Sequence, residues 1–422
     1  MPSPFIALRH RDYRLFWSGQ CVSLIGTWMQ NVAQDWLVLQ LTDSSFKLGL
    51  LVAAKFVPMM FVPLFAGVVA ERYPKRNIIL LTQTLLMLQA VILSVLTGLN
   101  AVRYEHVLVL VFFWGLVNSF DMPTRQAYVI ELAGRDDVMN AVALNSAIFN
   151  MARLVGPALA GLALAQFGTA ICFALNAASF LAVIAGLVPI APGKRGEGPI
   201  LGAAWEEIGR GFRYIFHQDL IRDALILLTV LSIFTMNFGV LIPAFAKFTL
   251  AGNARTLGYL WSSLGLGALC AAFALAVMSH RGPQRGQLIL AGFGLCLGQL
   301  LVSATRSFAL AVPAFVLTGL SMTSFNASVN TTLQITADDG YRGRVMSVYA
   351  LVVAGFTPLG SLFAGSLAQL AGPPAAFACG AGAGLAGLGV MLAIWYGRWR
   401  RTARAEDAMT VSLKEPPVRM DG

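Results

Sequence analysis

Apolar runs of about twenty residues recur along the whole chain, broken by short polar intervals. A run of that length crosses the hydrocarbon layer of a bilayer as one helix. The pattern predicts spans at 15–41, 48–70, 78–99, 107–130, 139–164, 168–190, 223–248, 256–279, 287–304, 308–336, 345–370 and 375–396. The longest polar interval, 191–222, falls after the sixth. The predicted organisation is an amphipathic N-terminus (1–14), a six-helix bundle (15–190), a linker (191–222), a second six-helix bundle (223–396) and a tail (397–422).

The flanking segments carry patterns of their own. Residues 5–14 read as a short basic amphipathic helix on a membrane surface. The linker opens on APGKRGEGP, then places Leu201, Trp205, Ile208, Phe212, Ile215 and Phe216 roughly on one helical face. That is the pattern of a helix lying on the membrane, with a flexible tether as the alternative. The two halves also resemble each other. SFDMPTRQAYVI at 119–130 aligns with SFNASVNTTLQI at 324–335, and GPALAG at 156–161 with TPLGSL at 357–362. Duplicated six-span units place a substrate site between the halves near the midplane.

Several spans are not uniformly apolar. In span one, Gln20, Ser23, Thr27, Asn31 and Gln34 share one face, with Gln30 beside it. Span five offers Asn145 and Asn150, span seven Asn237, and span ten Asn326, Asn330 and Gln334. A polar stripe on a spanning helix must meet protein or water. Cavity lining and hydrogen bonding between helices are both open.

Charges are rarer and more informative. Asp35, Lys55, Asp121 and Arg153 lie inside apolar runs, and Arg125 near the end of its run. Each costs roughly 2.5–3.5 kcal/mol near a bilayer centre, so such groups face a bundle interior or a watery path. Asp35 and Lys55 fall at similar depth on a helical hairpin and are placed to pair, with Arg153 as a competing cation. Asp121 and Arg125 stand four apart on one helix, acid first. The repeat sets Asn326, Asn330, Ala354, Ala244 and Leu264 opposite these five, so the charged network belongs to the first half. It reads either as proton-exchanging carboxylates or as permanent locks.

Composition agrees with a membrane protein: 57% of the 422 residues are hydrophobic and 12% charged, against about 25% charged in soluble domains. The net charge of +10 does not indicate nucleic acid, because its distribution is a topology signal. Twenty-two Lys and Arg residues fall on the side of the termini and five on the other, which puts both termini in the cytoplasm. The five cysteines lie in apolar runs without ligand spacing, and the four histidines lie in loops or flanks. No phosphate-binding loop, nucleophile–base set or metal-ligand cluster is present in the sequence. The expectation is therefore a protein that is not an enzyme and carries no cofactor.

Two motifs carry a family resemblance. GVVAERYPKR, joining spans two and three, resembles the loop signature of the major facilitator superfamily. Gly67, Arg72, Lys75 and Arg76 match; Glu71 replaces the usual Asp and Pro74 the usual Gly. ARLVGPALAG in span five resembles the signature of exporters and antiporters, through Gly156, Pro157 and Gly161. With FDMPTRQ, NSAIFNMARLVGP and the opening ALRHRDYRLFWSGQCVSLIGTWMQ, the chain is similar to a bacterial twelve-helix branch that includes enterobactin exporters and macrolide efflux pumps. The resemblance implies an all-α membrane fold of two pseudo-symmetric six-helix bundles in a bacterial inner membrane. It implies a gating role for the 67–76 loop, whose acidic position meets span eleven when the cytoplasmic side closes.

The expected function is secondary active export of a small organic molecule by proton antiport with alternating access. An importer or lipid flippase on the same fold, and a non-transporting scaffold or sensor, are the alternatives. Expected partners are a small-molecule substrate, protons and membrane lipid, with no nucleic acid, for a chain acting as a monomer. The charge count makes one direct prediction. A reporter fused after Asp421 should read as cytoplasmic; a periplasmic signal overturns the orientation and the direction of export.

Overall fold

The computed structural model describes residues 5–193, 213–278 and 285–412. The linker helix expected over 201–216 therefore lies largely outside the described residues, as does the end of the tail. The first half contains α1 (Arg11–Thr42), α2 (Ser45–Phe61), α3 (Pro63–Arg72) and α4 (Lys75–Gly98). It continues with α5 (Tyr104–Gly134), α6 (Asp136–Phe167) and α7 (Thr169–Leu187). The second half contains α8 (Asp219–Phe234), α9 (Phe238–Ala244), a π-helical turn (Phe245–Thr249), α10 (Ala254–Met278) and α11 (Arg285–Ala304). It ends with α12 (Phe308–Thr336), α13 (Arg342–Gly355), α14 (Thr357–Ala371) and α15 (Pro373–Ser412).

The breaks follow local chemistry. Ser44 caps α2 by accepting from the Lys47 N–H at 3.2 Å. Pro63 opens α3 and bends the second span, since proline suits a first helical turn but not an interior. Gly134, at φ 72°, lets the chain turn from α5 into α6 in a conformation that a side chain would strain. Among the described residues, ten helices, some of them bent, are long and apolar enough to cross a membrane. The other two predicted spans are α1, diluted by its polar stripe, and the bent α2–α3 rod. With them the chain fits the twelve-span, two-bundle plan.

At the N-terminus the structure differs from the expected 5–14 helix. A single 3₁₀ turn, Ile6–Arg9, is followed by an extended His10, and Arg11 already belongs to α1. The break is held in place. The Ala7 N–H donates to Asn140 at 3.0 Å, and His10 Nε2 and Arg9 both meet Asp137 at 2.8 Å. At the other terminus α15 runs on to Ser412, beyond the predicted end of the last span.

Each half holds a buried polar lock. In the first half, Gln30 donates to Gln89 at 3.0 Å and accepts from Asn176 at 2.7 Å, which joins α1, α4 and α7. In the second half, Asp223 on α8 accepts from Trp395 at 2.8 Å and Arg398 at 2.6 Å on α15. Asp223 is nearly enclosed, while its neighbour Asp219 is exposed. Breaking a buried pair strands the remaining group, whereas an exposed pair contributes little. Asp223→Ala should lower the thermal midpoint of the detergent-solubilised protein clearly more than Asp219→Ala. Equal shifts would mean that the α8–α15 lock is not structural.

Candidate functional site

The candidate site is the seam between the halves. Two helix pairs build it, α2 against α14 and α6 against α10, and small residues let both pairs close. A Cβ on Gly49 would stand 2.5 Å from the Ser361 carbonyl oxygen and 3.1 Å from Gly365 Cα. A Cβ on Gly161 would stand 3.1 Å from the Ala254 carbonyl oxygen and 3.2 Å from Gly258 Cα. Side chains at these positions would force the halves apart.

Polar bonds across the seam are unevenly placed. Lys247 Nζ reaches the Leu39 carbonyl at 2.6 Å and Asp43 at 2.5 Å. The Phe46 N–H reaches Gln369 at 3.5 Å, and Ser262 donates to the Leu154 carbonyl at 3.0 Å. These bonds lie at the Asp43 end or near mid-helix. A cavity of about 400 Å³, lined by Asp43, Ser45, Phe248, Arg306 and Gln369 among others, indents the Asp43 end. At the opposite end Glu71 and Arg72 are exposed.

The charges are not arranged as the sequence pattern suggested. Lys55 does not form an ion pair with Asp35. Its ammonium donates to Asn31 at 2.8 Å and lies 4.3 Å from the Trp114 ring centroid. An amide and an indole face thus hold the cation, a contact that replaces part of its hydration. Asp35 is buried, with Lys55 as its charged neighbour and no hydrogen bond or ion pair among the described residues. Arg153 does not compete for Asp35 either. Gly156, one turn from Arg153, packs where α1 carries Ile25 and Trp28. Asp35 lies seven residues beyond Trp28, roughly 10 Å farther along the axis. The Arg153 guanidinium points across the seam instead, 3.9 Å from Met322 Sδ.

Asp121 and Arg125 do pair, at 2.5 Å. Asp121 also accepts from Thr82 at 2.5 Å and Gln83 at 2.9 Å, both on α4. Arg125 donates to Gln20 on α1. Helices α1, α4 and α5 are thereby tied by one network centred on the Asp121 carboxylate.

The polar stripes divide. Asn31 and Gln20 hold the cations just described, while Gln30 is enclosed in the core of the first half between Gln89 and Asn176. Thr27 bonds back to the Ser23 carbonyl at 2.9 Å, and Gln34 is buried. Asn237 is buried against α14, near Gly360, and donates to Ile233 at 2.7 Å. Asn150 and Asn326 make similar back-bonds, to Ser146 at 2.9 Å and Met322 at 3.0 Å. Gln334 donates to Asn330 at 2.5 Å, and Asn145 is half-buried on α6. The sequence signal for a polar face was real, but helix rotation decides whether the face meets a cavity, another helix or its own backbone.

The two motifs occupy distinct places. Gly67 lies in α3, and Lys75 pairs with Glu131 at 3.1 Å. Arg76 donates to the Leu187 and Val188 carbonyls, each at 2.9 Å. These bonds tie the loop to its own half. Gly156, Pro157 and Gly161 line the inner face of α6. Gly156 admits α1, and Pro157 and Gly161 admit α10. Lys247 was visible beforehand only as a basic residue on the positive-poor side. Its partner, Asp43, sits in an unremarkable turn.

Comparison with known proteins gives the same plan. The family model described as transmembrane secretion effector matches residues 2–421. The multidrug efflux pump Tap of Mycolicibacterium fortuitum is 26% identical over 355 residues, covering 82% of this chain and 86% of that protein. The enterobactin exporter EntS of Escherichia coli is 24% identical over 411 residues and 96% of both chains. The fold matches the crystal structure of a bacterial homologue of the iron transporter ferroportin in an inward-facing state. Its TM-score is 0.70 at 14% identity, covering 90% of this chain and 98% of that one.

The seam geometry can be tested directly. Ser361→Cys, buried where α14 meets Gly49, should react slowly with a membrane-impermeant maleimide once the exposed Cys270 and Cys379 are changed to Ser. Adding Gly161→Leu should wedge α6 from α10 and raise labelling about tenfold or more, as the contact becomes sterically closed to both backbones. Unchanged labelling would mean that the glycine contact does not hold the seam.

Proposed function

The chain belongs to the major facilitator superfamily, in its family of transmembrane secretion effectors, and from that premise we propose that it exports a small, partly apolar organic molecule by alternating access. The observation that carries this reading is the set of polar bonds that join the bundles at the Asp43 end. The bundles are bonded together at the Asp43 end and near mid-helix. The loop charges place that end in the periplasm. The structure is then read as the cytoplasm-open half of a transport cycle, with Lys247 and Asp43 as part of the outer closure. The named activities of the relatives, multidrug efflux and enterobactin export, support the outward direction and a small-molecule cargo.

Proton antiport is the proposed drive, and the two carboxylates take different roles in it. Asp121 would have to release three donors in order to take up a proton. Asp35 holds none, and its cationic neighbour is already engaged by Asn31 and Trp114. Hydrogen bonds to a charged carboxylate favour that form, so the bare acid is the better carrier and the saturated one the better lock. When the outer seam opens, Asp35 lies about 12 Å, eight residues, below Asp43 along α1. A proton entering from the periplasm meets it early. The Glu71 loop is proposed to close the opposite end. The interface is built within one chain, which suits a monomer.

Purified protein in liposomes with an imposed pH gradient tests this reading. Asp35→Asn should abolish gradient-driven export and preserve substrate binding, because Asn keeps size and hydrogen bonding but cannot titrate. Asp121→Asn should instead reduce folded yield. Glu71→Ala should slow export with insertion intact. Full proton-driven export by Asp35→Asn would remove Asp35 from the coupling role.

A further inference from the structure

Arg153 is a cation in search of an acceptor. It sits roughly midway along Asp136–Phe167, at the seam. Among the described residues it pairs with no carboxylate. Its Nη2 touches only the thioether of Met322 at 3.9 Å, a weak acceptor, and its Nε is enclosed with no acceptor at all. Gly265 brings the α10 backbone close. A Cβ there would stand 3.0 Å from the Arg153 carbonyl oxygen.

One turn along α10 from Gly265, Trp261 shows the same deficiency. Its indole Nε1 is enclosed without an acceptor. The Trp261 ring meets the edge of Trp28, with centroids 6.2 Å apart. Trp28 in turn packs at Gly156, three residues from Arg153, and meets Phe149 at 6.0 Å. Two enclosed donors, one of them charged, are therefore carried by helices of opposite halves whose backbones approach at Gly265. Aromatic rings border them.

Unmet buried donors are costly, and in a membrane an unneutralised cation is more so. A core lock would bring its own acceptor, as Asp121 and Asp223 do for their arginines. Here both halves supply donors and neither supplies an acceptor. We propose that Arg153 and Trp261 form an anion subsite of the transport path, which takes the carboxylate of an amphipathic organic acid and stacks its apolar body on the neighbouring rings. This rests on the reading of the seam as the substrate path. It also assigns the cations separate tasks: Lys55 stays with Asn31 and Trp114, and Arg153 serves the cargo.

Salicylate is a suitable probe, since salicylamide matches its size without the charge. Binding of radiolabelled salicylate to the purified full chain in detergent should be saturable and displaced at least about tenfold less well by salicylamide. Arg153→Gln should weaken binding by about tenfold or more, and Arg153→Lys by much less, because the charge remains. Trp261→Phe, which keeps a ring but loses the donor, should weaken it a few-fold. Thermal midpoints measured alongside separate lost binding from lost folding; if the Gln variant is unstable, the Lys and Phe variants carry the test. The subsite is overturned if the wild type shows no saturable binding, if salicylamide competes equally, or if Arg153→Gln binds as the wild type does. The assay uses no gradient. Export of a neutral dye without salicylate binding would remove the subsite and leave the transport reading. Salicylate binding without any export would do the reverse.

Discussion

A charge inside a low-dielectric slab must find a partner, water or a function. The interior of the first bundle is organised around that constraint. Three of its five internal charges have been given local partners: Asp121 with Arg125, Thr82 and Gln83, and Lys55 with Asn31 and Trp114. These arrangements fix the rotations of α1, α2, α4 and α5 relative to one another. Two charges, Asp35 and Arg153, are left without such partners. Their separation along the axis means that neither can neutralise the other without large movement. The unsatisfied groups are thus at two depths, which matches the separate proton and ligand roles proposed for them.

The halves divide the physical work. In the second bundle, the internal positions equivalent to the five charges are amides or apolar residues, and its own buried charge, Asp223, lies at a helix start with its partners from α15. That bundle offers the seam a soft, apolar surface through Met322 and Trp261. The first bundle offers the charges. A transport cycle in which a polar body rocks against an apolar one limits the polar contacts that must be broken at each step. The contacts that do cross the seam are mostly glycine-to-backbone approaches, which release without stranding a donor or acceptor.

Much of the fold was legible because the bilayer enforces a simple code. Run length gave the spans, whereas the breaks at Pro63 and Gly134 appear only in the fold, the first inside a run read as one unbroken span. The GPALAG segment was also readable, since its glycines meet close helix contacts. Partner identity was less legible. Asp35 and Lys55 sit at similar depth on a hairpin, yet a hairpin fixes depth and leaves rotation free. Lys55 turned towards Asn31 and Trp114, one turn from Asp35 on α1 and on another helix. Gln30 and Gln34 share a stripe, but neighbours from α4 and α7 claimed Gln30. Those choices depend on three-helix packing that no single-helix periodicity encodes. The anchoring of the N-terminus on Asp137 and Asn140 was hidden for the same reason, since the contact spans more than a hundred residues of sequence.

The polar bonds at the Asp43 end of the seam are individually weak. The Lys247–Asp43 pair is short, but Asp43 is 75% exposed, so the ion pair itself is worth about 0–1 kcal/mol. The charge-assisted bond from Lys247 to the Leu39 carbonyl adds about 1.5–3 kcal/mol. Moving a two-state equilibrium from one dominant state to the other takes about 5.5 kcal/mol of differential binding. A proton on one carboxylate and one bound ligand can supply a shift of that order only if the closed state is not held by much more. Replacing Gly49, Gly161, Gly258 and Gly365 with larger apolar residues would be a poor way to strengthen the seam, because it would separate the backbones. Adding buried ion pairs would hold it too firmly to open. In the proposed cycle, glycine contacts with an exposed latch would keep the closed and open forms within reach of the free energies that an ion and a small ligand provide.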